Sequence, residues 1–435
     1  MNTAPKARAD AEVRVGVLGY GNVGAALVHR LLNDADELLV RTGMRFTVSQ
    51  VAVRSLERPG AQAERFLTTD ADALVRSDDV DVVIEVMGSI EPARSLILAA
   101  LAAGKPVVTA NKELLAAAGP ELYEAASNAG VDLLFEAAVA GGIPLIRPLR
   151  ESLAGERISR VLGIVNGTTN FILTRMAEDQ ADFDTALKEA QRLGFAEADP
   201  TADVMGDDAA AKTAILAGIA FGAQAVVTDV MTEGIVGVTP AAVAAADAMD
   251  HVIKLLAIVE RVGFDEVSMR VQPTLVPKRH PLASVRDSFN AVFIEGDQVG
   301  ELMLYGRGAG GGPTASAVLG DLIDAAHNLR SGGRGRTPSL SKLKAAPIDD
   351  LYSRFWLELH VIDQPGVLAA VADVFGKNDV SIRSMEQQGL GGSARLLFVT
   401  HAAREASMRR TLVDLSALKV VRSVGMLLRV LDMTS

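Results

Sequence analysis

The sequence predicts an α/β protein in three parts: a doubly wound parallel sheet, an α+β domain built on a second sheet, and a small ferredoxin-like module. Three observations predict it. Short β-branched runs alternate with helical segments over residues 12–138, and a glycine turn follows the first run. Strand-like runs then recur between residues 272 and 305. Residues 354–435 read strand, helix, strand, strand, helix, strand.

Taken in order, residues 13–18 form an apolar strand, residues 19–24 a glycine turn, and a helix continues to about residue 33. A second strand covers 47–53. Residues 80–86 are continuously apolar around Asp81 and Glu85, as in a strand buried on both faces. A helix over 91–103 ends at Gly104, a suitable C-cap. Residues 106–110 form a strand, Asn111 opens a helix, and 131–135 form a strand ahead of Glu136. In the next domain, 139–305, a strand at 161–165 precedes a polar loop at 166–170, and strands follow at 290–295 and 299–305. The glycine-rich stretch 306–312 leads into a helix over 313–329, so residues 306–330 are expected to complete the first domain. Residues 331–352 have linker composition. Their basic residues Arg334, Arg336, Lys342 and Lys344 suit a solvated tether better than a nucleic-acid contact. The module at 353–435 starts with a strand at 355–361 and a helix at 366–375, and ends with a strand at 423–431.

Composition excludes several function classes. A length of 435 residues allows two or three domains with sizeable cores, and 49% hydrophobic with 22% charged residues is a globular balance. A net charge of −11 offers no basic footprint for nucleic acid. The absence of cysteine removes disulfides, thiolate metal sites and cysteine nucleophiles. His29, His251, His280, His327, His360 and His401 are scattered, with no pair at metal-ligand spacing. The first 12 residues lack the apolar core of a secretory leader, and the apolar run 213–228 is shorter than the roughly 20 residues that span a membrane. A cytoplasmic protein with no membrane partner is expected.

The glycine turn Gly19-Tyr20-Gly21-Asn22-Val23-Gly24 follows a strand and opens a helix, the context that makes GxGxxG a Rossmann-type dinucleotide fingerprint. Gly19 permits the turn, Gly21 lets the backbone approach a pyrophosphate, and Gly24 allows close helix–strand packing. After the second strand comes Arg54 rather than an acid, which suits the 2′-phosphate of NADPH; NADH is the alternative cofactor. Tyr20, Tyr123, Tyr305 and Tyr352 all lack a lysine four residues on, so a Tyr-x-x-x-Lys pair is absent. Hydride transfer between carbonyl and alcohol with a lysine acid remains, and Lys112 and Lys212 are both candidates. Residues 194–212 set several carboxylates and Lys212 beside an apolar run, and Asp208 and Lys212 share one helix face if a helix starts near Asp207.

Further motifs carry a resemblance. They are Glu85-Val86-Met87-Gly88, Thr109-Ala110-Asn111-Lys112, Glu136 with residues 139–144, Asn166-Gly167-Thr168-Thr169-Asn170, the 194–212 stretch, and Gly308-Ala309-Gly310 with Pro313-Thr314-Ala315. With the fingerprint, in this order and spacing, they resemble homoserine dehydrogenase over residues 12 to about 330, in its form without a fused kinase. An ACT-type regulatory domain follows. The resemblance implies reduction of L-aspartate 4-semialdehyde to L-homoserine with NAD(P)H, in threonine, methionine and isoleucine biosynthesis. It implies Lys212 as proton donor and Lys112 as its companion between nicotinamide and substrate. Glu197 and Asp208 would hold the substrate, with Asp203 and Thr168 in the same site and Asp199 a turn residue. Gly88, Thr109, Lys112, Gly194 and Gly310 would border the cofactor. Glu136 with the carbonyls of Val139, Gly141 and Ile143 would hold a monovalent cation such as Na⁺.

In the ACT module the resemblance implies an amino acid effector, L-threonine, at Asp363, Gly366, Val367, Leu368 and Asn378. It also implies a homodimer or homotetramer, with the 139–305 domain serving substrate binding and dimerisation. Asp207 stands beside Asp208 where the family more often has an apolar residue, which leaves open which acid faces inward. Ser89 follows Gly88 where a second glycine is common. Two other readings stand beside this one: a catalytically retired amino acid sensor, and a dehydrogenase acting on a different amino acid carbonyl.

Overall fold

The computed structural model describes residues 11–56, 63–335, 343–389 and 391–432. Arg336 and Lys342 of the basic linker, and residues 1–10 of the N-terminal segment, lie outside them.

Strand Ala11–Leu18 (β1) buries Val13, Val15 and Val17, the alternate positions that a strand turns to one face. Helices Asn22–Asn33 (α1) and Ala35–Thr42 (α2) lead to strand Met44–Ala52 (β2), which starts three residues earlier than its apolar run suggests. Strand Leu67–Thr68 (β3), helix Ala71–Arg76 (α3), strand Val82–Glu85 (β4), helix Ala93–Ala102 (α4), strand Val107–Thr109 (β5), helix Lys112–Ala129 (α5) and strand Leu133–Leu134 (β6) follow. The strands pair in parallel in the order β3-β2-β1-β4-β5-β6. Strand order reverses between β1 and β4, so a crevice opens at their carboxyl ends. All four residues of β4 are buried, which explains its lack of polar alternation.

The middle domain starts with strand Ile158–Ile164 (β7) and helices Gly167–Glu178 (α6), Phe183–Arg192 (α7), Thr201–Val204 (α8) and Asp207–Phe221 (α9). The apolar run after residue 212 is the buried body of α9. It stops at Gly222, whose φ of +71° ends the helix in a left-handed cap. Among the described residues no helix is long and apolar enough to cross a membrane. Next come strand Met231–Thr232 (β8), helix Pro240–Ala248 (α10), and strands His251–Val262 (β9), Glu266–Pro277 (β10), Phe289–Gly296 (β11) and Gly300–Arg307 (β12). The 12-residue strands β9 and β10 form an antiparallel hairpin. In the sequence, strand-like runs are recognisable here only from residue 272. The earlier part was illegible because residues 253–259 and 267–276 are buried without interruption, so neither strand alternates. Helix Gly311–Ser331 (α11) returns to pack on α1, so closely that a Cβ at Gly311 would lie 2.9 Å from the Asn22 carbonyl oxygen.

Composition suggested a solvated tether after α11, yet the described parts of that segment are held. Arg334 Nη1 donates to the Ser127 carbonyl at 3.0 Å, and the Gly335 amide donates to Asp132 at 2.6 Å. Lys344–Ala345 (β13) adds to β10 in parallel. The last module contains strand Tyr352–Ile362 (β14), helix Val367–Lys377 (α12), strands Ile382–Gly389 (β15), Ser393–Thr400 (β16) and Ala403–Arg404 (β17), helix Glu405–Ala417 (α13) and strand Val421–Val430 (β18). Its sheet order, β18-β14-β16-β15, is that of the ferredoxin-like fold. Strand β18 also pairs in parallel with β10, Thr274 opposite Arg429 and Leu275 opposite Val430. The two sheets are therefore one, running β12-β11-β7-β9-β10-β18-β14-β16-β15.

Leu275 lies at that seam with 1% of its surface exposed. Leu275→Ala is expected to cost about 2–5 kcal/mol, read as a lower urea midpoint for the full chain. A midpoint within error of the parent would mean the seam carries no stability.

Candidate active site

The glycine turn meets the demands of a phosphate cradle. Gly19 has a φ of +107°, and a Cβ there would lie 2.9 Å from the Val86 carbonyl oxygen. At Gly24 a Cβ would lie 2.3 Å from the Gly19 oxygen, so α1 can start against the turn only without one. Nothing lies within 4 Å of the Cβ position at Gly21, the N-cap of α1, which no side chain caps. That open end, with its unpaired N–H groups, fits a dinucleotide pyrophosphate. Tyr20 and Val23 are half-buried against the sheet core, while Asn22 is exposed. Arg54 is exposed two residues beyond β2.

Across the crevice, Glu85 ends β4 fully buried. Its carboxylate accepts from the Thr109 hydroxyl and the Met87 amide, each at 2.6 Å. Burial pushes its pKa up, against the opposing pull of these donors and the Gly88 amide. Thr109 also accepts from the Asn111 amide at 3.0 Å, and Asn111 caps α5 by accepting from Leu114 at 3.1 Å. Glu85 thus ties the loop at Gly88 (φ +82°) to the turn that launches Lys112. In the sequence Glu85 stands out only as part of a motif. The signal for its role was an acid at the end of an otherwise apolar buried strand.

The centre of the site is Asp208. Its Oδ1 pairs with Lys112 Nζ at 3.0 Å, and its Oδ2 with Lys212 Nζ at 2.7 Å. The Asn166 side-chain amide donates to Asp208 Oδ2 at 2.8 Å and to Asp203 Oδ1 at 2.7 Å. Lys212 Nζ also donates to the Val165 carbonyl at 2.7 Å. Desolvation would raise the Asp208 pKa, but Lys212 and then Lys112 outweigh it and hold the carboxyl well below the usual carboxylate range. For Lys112, desolvation lowers its pKa and the Asp208 charge more than offsets it, leaving it raised.

Local sequence puts each group in place. Gly206, at φ +91°, turns the chain into α9, so Asp208 points inward and Asp207 lies exposed. Asn166 follows β7 and caps α6 by accepting from the Thr169 amide at 2.9 Å. Lys112 arrives from the other domain, at the start of α5. In the sequence Asn166 belongs only to its loop motif, and its bridging of the two aspartates depends on a fold contact.

Other candidate residues are less central. Thr168 donates its hydroxyl to the Phe195 carbonyl at 2.6 Å, fixing the loop that begins at Gly194 (φ +77°). Glu197 is exposed on that loop and makes no hydrogen bond or ion pair with the Asp208 cluster. Asp199 accepts from the Thr201 hydroxyl and amide, as a turn residue does. Gly310, at φ +110°, opens α11.

Glu136 is buried, and its carboxylate accepts from the backbone amides of Leu145, Ile146 and Arg147 at 2.5, 2.8 and 2.8 Å. That carboxylate is committed to N–H donors. A cation at this turn would therefore lean on the carbonyls of Val139, Gly141 and Ile143. Among the described residues no group of three His, Asp or Glu is placed to hold a metal. In the last module, Gly366 (φ +89°) starts α12 without a side-chain cap, Asp363 and Leu368 are exposed and Val367 is buried. Asn378 turns inward, donating to Asp414 at 2.8 Å and to the Val374 carbonyl at 3.1 Å, so its amide ties α12 to α13.

Comparison with known proteins gives the family of the chain. Residues 144–323 match the homoserine dehydrogenase family model, residues 19–136 the homoserine dehydrogenase NAD binding domain, and residues 355–419 the ACT domain. The chain is similar to the homoserine dehydrogenase of Mycobacterium tuberculosis, 50% identical over 428 residues, covering 96% of this chain and 97% of the relative. It is similar to that of Bacillus subtilis, 41% identical over 426 residues, covering 96% and 98%. The solved structure of a homoserine dehydrogenase from Thiobacillus denitrificans matches with TM-score 0.90 at 40% identity, covering 97% of this chain and 98% of that one. A hyperthermophilic archaeal homoserine dehydrogenase in complex with NADPH matches with TM-score 0.61 at 29% identity, covering 73% and 98%.

Asp208 has a depressed folded-state pKa, so it contributes stability that is present above the unfolded carboxylate value of about 4 and lost as pH falls through the lower folded value. Asp208→Asn is expected to flatten the stability profile below about pH 5, measured by urea unfolding across pH. An unchanged acid limb would contradict the pairing. Gly24→Val is expected to abolish NADPH binding by fluorescence titration, and binding as tight as the parent's would refute the cradle.

Proposed function

The chain belongs to the homoserine dehydrogenase family, and on that footing we propose that it reduces L-aspartate 4-semialdehyde to L-homoserine with NADPH at the Lys112–Asp208–Lys212 cluster. It is an NAD(P)-dependent oxidoreductase. One observation carries the assignment of roles. The Lys212 ammonium has three donors, and two are spent on Asp208 and the Val165 carbonyl. The third is left for a substrate carbonyl oxygen.

Bound NADPH supplies hydride to the carbonyl carbon. As the C=O π bond breaks, negative charge gathers on oxygen, and Lys212 stabilises it and gives it a proton. Lys112 adds a second positive charge on the cofactor side. Asp208 aims both lysines, and its charge favours the protonated form of Lys112. Asp203, bridged to Asp208 by Asn166, and Glu197 on the facing loop provide carboxylates for the substrate ammonium. Arg54 supports the NADPH preference, and the archaeal relative bears NADPH in its solved complex.

The finer reading extends to regulation. L-threonine at the Asp363–Leu368 loop would meet a glycine backbone and an uncapped helix start, which suit an amino acid carboxylate. Asn378 then serves by fixing the α12–α13 pair. The Glu136 turn takes a monovalent cation on carbonyl oxygens, with Glu136 buried beside it; Asp321, which accepts from the Glu136 amide, is pushed by burial up to about 7 and so carries only part of its charge at neutral pH. A dimeric or tetrameric cytoplasmic enzyme of threonine, methionine and isoleucine biosynthesis completes the proposal.

The test follows NADPH absorbance with L-aspartate 4-semialdehyde, with and without millimolar L-threonine. Turnover suppressed by threonine is expected. Turnover that ignores threonine would remove the effector assignment and keep the enzyme. Lys212→Ala is expected to lower kcat by about 10²–10⁴-fold with KM for NADPH unchanged, and a kcat within twofold of the parent would remove Lys212 from the chemistry.

A further inference from the structure

The ACT module reaches into the substrate side of the catalytic domain through a half-buried ion pair. Arg429, on β18, has a side chain only 10% exposed. One edge of its guanidinium meets Glu405 at the start of α13, Nε to Oε1 at 3.3 Å and Nη2 to Oε2 at 3.1 Å. Its Nη1 donates to Glu233 of the catalytic domain at 2.5 Å. Glu233 follows β8, and its amide donates to the Val271 carbonyl of β10 at 2.7 Å.

The next two residues grip the substrate loop. The Ile235 amide donates to the Val204 carbonyl at 2.8 Å. At Gly234 a Cβ would lie 2.2 Å from that oxygen and 2.6 Å from Met205 Cα, so two backbones are in direct contact there. Val204 and Met205 lie between Asp203 and the Gly206 turn that aims Asp208. From Asp203 the Asn166 amide leads on to Asp208 and Lys212.

We propose that Glu233, held by Arg429 of the ACT module, is a positioning residue that sets the 203–206 turn and so the placement of Asp203 and Asp208 around the substrate. The proposal rests on the assignment of these two aspartates to the substrate site. A one-ended Arg429–Glu405 pair would belong to the ACT module alone. Its second end, spent on Glu233, makes the position of β18 felt at the turn. None of these residues borders the glycine cradle, so the effect falls on substrate and not on cofactor.

Glu233→Gln removes the charge while keeping the size and the backbone clasp, at a side chain 37% exposed that tolerates the change. In the full chain, KM for L-aspartate 4-semialdehyde is expected to rise by about 2- to 30-fold, with KM for NADPH unchanged. Hydrogen exchange of amides 203–206 is expected to quicken while the parallel sheet stays protected. Gly234→Ala, which opens the same clasp from the backbone, is expected to give the same KM split. A parental semialdehyde KM in both variants overturns the proposal. Asp203→Asn separates the two ways of failing. If it raises KM while Glu233→Gln does not, the relay is wrong; if it too leaves KM alone, the substrate assignment is wrong.

Discussion

A single carboxylate shared by two lysines organises this protein. Asp208 is nearly buried, and a buried charge is tolerated only when it is paired and hydrogen-bonded. Its partners come from three places: Lys112 from the parallel-sheet domain, Lys212 from the next turn of its own helix, and Asn166 from the loop after β7. Meeting that requirement joins the domains at the mouth of the crevice. Removal of any one partner would leave the Asp208 carboxylate with fewer donors in a poorly solvated space. The same arrangement leaves one Lys212 N–H unspent, the group that our proposal gives to the substrate carbonyl.

The second constraint is the seam between β10 and β18. Pairing of backbone groups there makes the catalytic and ACT sheets continuous. A tethered domain can move without consequence, whereas a domain whose edge strand is paired moves its neighbour. Arg429 reinforces the seam from the side-chain layer. Arg270 does so as well, donating to Ser353 at 3.3 Å, which in turn donates to Glu405 at 2.9 Å. Glu405, 4% exposed, thus takes Ser353 and Arg429, the two ACT residues that themselves meet Arg270 and Glu233 across the junction.

The sites differ in how legible they were. The fingerprint glycines are read from spacing because their function is local: a turn, a close approach, a helix start. The Asp208–Lys212 pair is read from a four-residue interval on one helix. The roles of Glu85, Asn166 and Glu233 are not legible in the sequence because their partners lie 24, 42 and 196 residues away in the chain. Hairpin β9–β10 is only partly legible because strands buried on both faces carry no alternation. The segment after α11 reads as a tether by composition, yet β13 pairs with β10, since strand addition needs only backbone groups and leaves little trace in side chains.

By itself the sequence determined the alternation that builds a parallel sheet, the glycine cradle, the absence of cysteine chemistry, the two lysines and the ferredoxin-like order of the last module. Each is set by neighbours within one element or turn, where periodicity and residue type act directly. The tertiary structure alone decided that Asp208, not Asp207, faces inward, that Glu136 spends its carboxylate on three amides, that Asn378 binds Asp414, and that the ACT sheet joins the catalytic sheet. These outcomes depend on which distant donors and strand edges arrive at each group, and one-dimensional spacing does not record that.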